Sequence, residues 1–289
     1  VTGGPTRARR AAGVVLAGVL AAAPVWAAGA PKRVASLNLT ADEILVDILP
    51  PERLVAVTRW ADAPGTSNVV GRVPDTAFRF QKADMERLMA LQPDLVILSE
   101  YTDADFIRLV ERSGIRTHRM TGLGSLAGIR AAILALGDAV GEAGGAQRLV
   151  ARYDRVLVDL ERRLEGARRP RVLYWANPHT AGSATAIGAL IEGGGGRNVA
   201  AELGISGIAP IGAERAFVAD PDVVLIGSGW GSAEALKSHP LLSRLGAVQK
   251  GRVVELPTER LVTLSHHAAA ACWRLASLLH PDRVTRPDP

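Results

Sequence analysis

The chain carries one short phrase twice, and both copies have to be packed somewhere. Met85-Glu86-Arg87 runs, seven residues after its glutamate, into Pro93-Asp94-Leu95-Val96-Ile97, and Ala213-Glu214-Arg215 runs at the same spacing into Pro221-Asp222-Val223-Val224-Leu225. Each copy reads as a short helix bearing an exposed glutamate, a turn opened by proline and aspartate, and an apolar run suited to a strand buried on both faces. The two glutamates therefore hold equivalent places in two similar lobes. Such a duplication implies a guest gripped between the lobes and a partner docked across both.

The segments around each copy alternate between strand and helix patterns, the signature of a parallel sheet covered by helices. In the first half, strands are expected at 33–37, 54–57, 94–98 and 115–118. Helices are expected at 41–49, with Thr40 placed as its cap, and at 84–91, 103–113 and 125–140. A loop rich in Gly, Pro, Ser and Asn fills Arg59 to Asp75. Between Ala146 and Glu165 the residues Leu149, Tyr153, Val156, Leu157, Leu160 and Leu164 recur at helical spacing with no glycine or proline among them. A helix of that length reaches about 30 Å, the span of a small domain. A single stiff rod, rather than a flexible linker, therefore joins the halves, and large hinge closure is not expected. The second half repeats the plan with strands at 171–175, 222–226 and 252–256 and helices near 186–192, 240–245 and 265–280. The fold class is thus α/β, two parallel-sheet lobes on one long backbone helix. The divisions fall at 28–143 for the first lobe, 144–167 for the connecting helix and 168–289 for the second lobe.

Residues 1–27 have the layout of a secretory signal peptide: Arg7, Arg9 and Arg10, an apolar stretch from Ala11 to Trp26, and small residues at a cleavage position. Removing that segment takes away three arginines and no acids, so the net charge of +5 becomes +2. What remains is mildly basic, with no cluster of lysines and arginines interleaved with aromatics, which argues against a nucleic-acid partner. No later apolar run reaches membrane-spanning length, so a soluble periplasmic protein is expected. The single cysteine, Cys272, lies in an apolar helical pattern and reads as a small buried residue; no cysteine follows the leader to carry a lipid. Gly193 to Gly196 lacks the lysine and hydroxyl of a phosphate loop and reads as a helix end followed by a turn.

Several segments together resemble the periplasmic binding proteins for cobalamin, haem and ferric siderophores. These are the opening strand-loop-helix with Ser36-Leu37-Asn38 and Asp42-Glu43-Ile44, the phrase from Glu86 to Ile97, the run Gly194 to Ala200 followed by Glu214 and Asp220-Pro221-Asp222, and the ending Gly251-Arg252-Val253 with Leu278 to Pro281. The resemblance covers residues 32–281. It implies a shallow cleft that holds one metal chelate, delivered by a monomeric receptor to a homodimeric ABC permease of the inner membrane. It also implies that one glutamate per lobe meets permease arginines, and the matching positions are Glu86 and Glu214. Exposed carboxylates suit that role, since guanidinium pairs with them bidentately and fixes orientation.

In open parallel sheets ligands gather beyond the carboxyl ends of the strands. The loops there hold Thr40, Trp60, Tyr101, Trp175, His179, Trp230 and Arg260, and three of the five tryptophans fall among them in a chain with only 4% aromatics. Such residues can supply flat apolar walls with polar edges. Arg72 and Arg79, in the long first-lobe loop, can pair with an anionic chelate and tip the choice toward a ferric siderophore, with a corrinoid as the alternative. Haem ranks third, because only Tyr101 and His179 offer axial ligation. No free-metal site is expected: His266 and His267, read as adjacent helical residues, would face different ways. No resident cofactor is expected either, and the rival class, an exported α/β enzyme, lacks a nucleophile elbow and a properly spaced dinucleotide loop.

Overall fold

A computed structural model describes Val1, residues 29–228 and residues 232–285. The leader read at 1–27 lies outside the described residues apart from Val1, and so does Trp230. The first lobe runs β1 (Val34–Ser36), α1 (Leu39–Ile48), β2 (Leu54–Thr58), β3 (Phe78–Phe80), α2 (Met85–Ala90), β4 (Leu95–Ser99), α3 (Ala104–Arg112), β5 (Arg116–Met120) and α4 (Leu126–Val140). Its five strands are all parallel in the order β3-β2-β1-β4-β5.

After the long helix α5 (Ala143–Leu164), the second lobe runs β6 (Arg171–Tyr174), β7 (His179–Ala181), α6 (Ala186–Gly193), β8 (Arg197–Asn198), α7 (Val199–Glu202), β9 (Ile208–Pro210), α8 (Ala213–Ala219) and β10 (Val223–Gly227). It closes with α9 (Ala233–Ser238), α10 (Gly246–Gln249), β11 (Val253–Leu256), α11 (Thr258–Leu261) and α12 (Ala268–Leu279). Strands β11-β10-β6-β8 form a parallel sheet, and β7 and β9 pair as an antiparallel ribbon.

The repeated phrase occupies matching places. Strands β4 and β10 follow the two copies, each is buried along its whole length, and each lies beside the strand that opens its lobe. The aspartates of the phrase explain the match. Asp94 accepts the backbone N–H of Lys32 at 2.7 Å and of Arg33 at 3.0 Å, just ahead of β1. Asp222 accepts the N–H of Arg171 at 2.9 Å, at the start of β6. Each aspartate thus ties two neighbouring parallel strands together at their amino ends.

Helix α5 reaches into both lobes because its apolar stripe is continuous. Leu149, Val150 and Tyr153 sit in the first-lobe core, Leu160 sits in a second-lobe core, and Val156 and Leu157 touch both. Helix α12 runs alongside, with Ala268 and Ala269 in the first core and Ala271, Cys272, Trp273, Leu275 and Ala276 in the second. Gly137 lets α4 lie close on α5, since a Cβ there would stand 2.2 Å from that of Ala146.

Three local expectations change. Helix α1 is capped by Asn38, whose side chain accepts from the N–H of Ala41, while Thr40 is already helical. The helix expected near 240–245 is a single 3-10 turn at Leu242–Arg244, preceded by α9. The long first-lobe loop ends in the edge strand β3, which its Gly- and Pro-rich approach hid.

Candidate ligand cleft

The carboxyl ends of the two sheets open onto a continuous cleft. On the first-lobe side lies a depression of about 420 Å³ lined by Leu37 to Thr40, Glu43, Ser99 and Tyr101 to Asp103, with Val262 to Leu264 at its border. On the second-lobe side lies one of about 610 Å³ walled by Tyr174, His179, Ile187 and Ile208. Both include Tyr101, Val262 and Leu264, so these three residues stand where the halves meet. A further recess of about 190 Å³ continues from Leu37 and Ala83 to Trp60 and Lys82. Tyr101 is 70% exposed, an unusual state for a large ring, and it projects where both lobes can reach a guest. Burial and the charge of Glu100 hold its phenol above the ordinary tyrosine value.

Beneath the first-lobe side is a polar joint. The buried Glu43 accepts from the backbone N–H and side-chain amide of Asn68, both at 2.9 Å, and from the Ser265 hydroxyl at 2.5 Å. Asn68 also donates to the carbonyl of Glu259 at 3.1 Å. Helix α1 is thereby fastened to the segment that borders the cleft between α11 and α12. Next to it, Asp42 accepts from the N–H and hydroxyl of Thr58 at 3.1 and 2.6 Å. Burial pushes its carboxyl up to about 7, against the opposing pull of the Ser36 and Thr58 hydroxyls.

The residues singled out from sequence divide sharply. Thr40, Trp60, Tyr101 and His179 line the cleft. Trp60 is partly exposed, with the Arg59 guanidinium 4.1 Å from its ring centre. Trp175 is only 6% exposed and packs into a second-lobe core instead of facing the cleft. Arg72 is paired with Asp47. Arg79 is engaged by Asp62 at 2.7 Å and by the carbonyls of Val73, Pro74 and Ala77, so it holds its own loop together. Arg260 is half-buried and is not among the residues lining the three recesses. Sequence reasoning missed Ile208, Val262 and Leu264. The ribbon β7-β9 that presents Ile208 joins two short segments, and neither alternates strongly enough to read as a strand.

Glu86 and Glu214 are exposed in the first turns of α2 and α8. One turn further on, each helix shows solvent a large apolar side chain: Met89 at 48% and Val218 at 82% exposure. The two histidines also differ from expectation. His266 and His267 precede α12, with His267 at its N-cap, so the argument from helical spacing does not apply to them. Their ring centres lie 4.0 Å apart. Among the described residues no helix is long and apolar enough to cross a membrane.

A family model described as "Periplasmic binding protein" matches residues 34–259. The cobalamin-binding protein of Halobacterium salinarum is 26% identical over 260 residues, covering 86% of this chain and 70% of that protein. Among solved structures, the periplasmic haem-binding protein BhuT in complex with two haems superposes with a TM-score of 0.74 at 25% identity, covering 89% of this chain and 100% of the other. The periplasmic haem-binding protein RhuT from Roseiflexus sp. RS-1 gives 0.74 at 23% identity, covering 86% and 98%. Helicobacter pylori CeuE with Ni(II) bound gives 0.74 at 18% identity, covering 88% and 85%; at such identities the likeness is one of fold.

Proposed function

The chain belongs to the periplasmic binding protein family, and we propose that it captures one metal chelate in its cleft and hands it, as a monomer, to a homodimeric ABC permease in the inner membrane. The observation that carries this reading is the shape of the cleft: it opens at the carboxyl ends of both sheets, and helix α5 packs into the cores of both lobes that flank it. Two lobes sharing α5 and α12 across their cores have little freedom to close, so the guest rests in a pre-formed groove. Binding and release, rather than catalysis, is the activity proposed.

Arg72 and Arg79 no longer favour an anionic siderophore, because both guanidinium groups are engaged within the first lobe. The second-lobe wall is mostly apolar, with Tyr174, Ala176, Ala184, Ile187, Ile208 and Leu264. That suits a broad, amphipathic ring system, and a corrinoid is the chelate we favour, in keeping with the curated relative that binds cobalamin. A haem guest is the second reading, favoured by Tyr101 and His179 lining one recess.

Glu86 and Glu214 are assigned to permease docking. Each stands beside an exposed apolar side chain, so each site offers a charge for orientation and a hydrophobic contact for adhesion.

Titration of intrinsic tryptophan fluorescence with cyanocobalamin, haemin and a panel of ferric siderophores tests the reading. Saturable quenching at one equivalent of cyanocobalamin is expected, weakened at least tenfold by Tyr101→Ala. Quenching by none of these ligands would overturn the receptor assignment, and quenching by haemin or a siderophore alone would replace the corrinoid.

A further inference from the structure

Away from the cleft and beside the flank of α5, the end of α1 and the turn before α12 bring together three side chains of the kinds that bind metals. Asp47, His266 and His267 each offer a ligand atom, and these atoms all lie within 4.8 Å of one another. Nε2 of His266 stands 2.9 Å from Oδ2 of Asp47, and the two side chains are only 11% and 16% exposed. Among the described residues, Nδ1 of His266 and Nε2 of His267 are buried without a hydrogen-bond partner. Two adjacent imidazoles with orphaned nitrogens are costly to bury for packing alone.

We propose that Asp47, His266 and His267 form a binding site for one divalent transition-metal ion of the zinc, cobalt and nickel type, distinct from the ligand cleft. Two imidazoles and a carboxylate are the donors that such borderline cations select. A tetrahedral ion with bonds of about 2.0–2.1 Å places its ligand atoms roughly 3.3 Å apart, so modest side-chain rotation closes the triangle. Arg72 holds the other oxygen of Asp47 and thereby orients the carboxylate, the part an outer-shell partner plays in a metal site. The histidines border a recess of about 330 Å³ along Leu149, Arg152 and Val156 of α5, which leaves room for water or an exogenous ligand on the ion. None of the residues lining that recess lines the cleft. The nearby arginines make the site weaker than a closed four-ligand structural one. A bound ion would clamp α1 of the first lobe to the turn that leads into α12, and metal binding would register as stability.

The experiment uses protein purified without a histidine tag and stripped with chelator. Cobalt(II) is titrated while the visible d–d bands are followed, and zinc(II) is then added in competition. One equivalent of cobalt with the strong bands of a low-coordinate N/O site is expected, displaced by zinc, together with a rise in Tm on zinc addition. His267→Ala and Asp47→Asn each lower the affinity at least tenfold, and His179→Ala in the cleft leaves it unchanged. His267→Gln, checked by circular dichroism, serves if the alanine variant does not fold. The absence of saturable binding, or binding abolished by His179→Ala and untouched at His267, would overturn the proposal.

Discussion

Glu43 and Ser265 are 222 positions apart in the chain and 2.5 Å apart in the fold, joined carboxylate to hydroxyl beneath the cleft. The contact ties the first described helix of one lobe to the segment that enters α12. Glu43→Ala takes one acceptor from the backbone N–H and the side-chain amide of Asn68 and one from the buried Ser265 hydroxyl. We expect it to cost about 2–4 kcal/mol of unfolding free energy in urea melts. Because the partners of Glu43 lie under the cleft border, the same variant should weaken chelate binding.

The Asp42 carboxyl, raised to about 7 in the fold by burial, binds its proton more tightly than in the unfolded chain, where its ordinary value is 3.8. Between these two values the folded state holds more protons, so this group's contribution to stability is fully present below about pH 4 and is lost as pH rises through 7. Asp42→Asn keeps an acceptor for Thr58 and removes the titration. Thermal melts across that window should show the native protein losing stability with rising pH more steeply than the variant; identical slopes would rule out the assignment to Asp42.

The paired aspartates of the repeated phrase should matter equally. Asp94→Ala frees the N–H groups of Lys32 and Arg33, and Asp222→Ala frees that of Arg171 along with the ion pair to Arg168. Each is expected to destabilise by about 1.5–3 kcal/mol, the usual worth of hydrogen bonds to a charged acceptor. Amide hydrogen exchange should locate the loosening at the amino ends of β1 and β6 respectively.

Charge reversal at Glu86 and Glu214, both exposed on short helices, should leave fold and chelate affinity intact while abolishing transport with the permease. Transport assays beside binding titrations check this. A fall in affinity instead would place the two acids in ligand binding and remove them from docking.

The alternating strand and helix pattern, the buried strands β4 and β10, the extent of α5 and the equivalence of the two copies were legible from sequence, because each rests on local periodicity or on a repeated string. Tyr101 and His179 were expected in loops beyond strand ends, and both line the recesses there. What long-range packing controls was not legible. Arg72 and Arg79 looked free to meet an anion, yet Arg72 reaches Asp47 at the end of α1 and Arg79 reaches Asp62 across its own loop. Trp175 looked like a cleft wall, yet one residue's difference in direction at a strand end turns its ring into the core.

The sequence by itself determined the architecture: two α/β lobes, a rod between them and matched acids on their surfaces, all carried by patterns within about twenty residues. Only the tertiary structure decided the chemistry of the groove and its surroundings, because a side chain's partners depend on which distant segments arrive beside it. Asp47 meeting His266 and Glu43 meeting Ser265 are contacts between the two ends of the chain, and no local spacing encodes them.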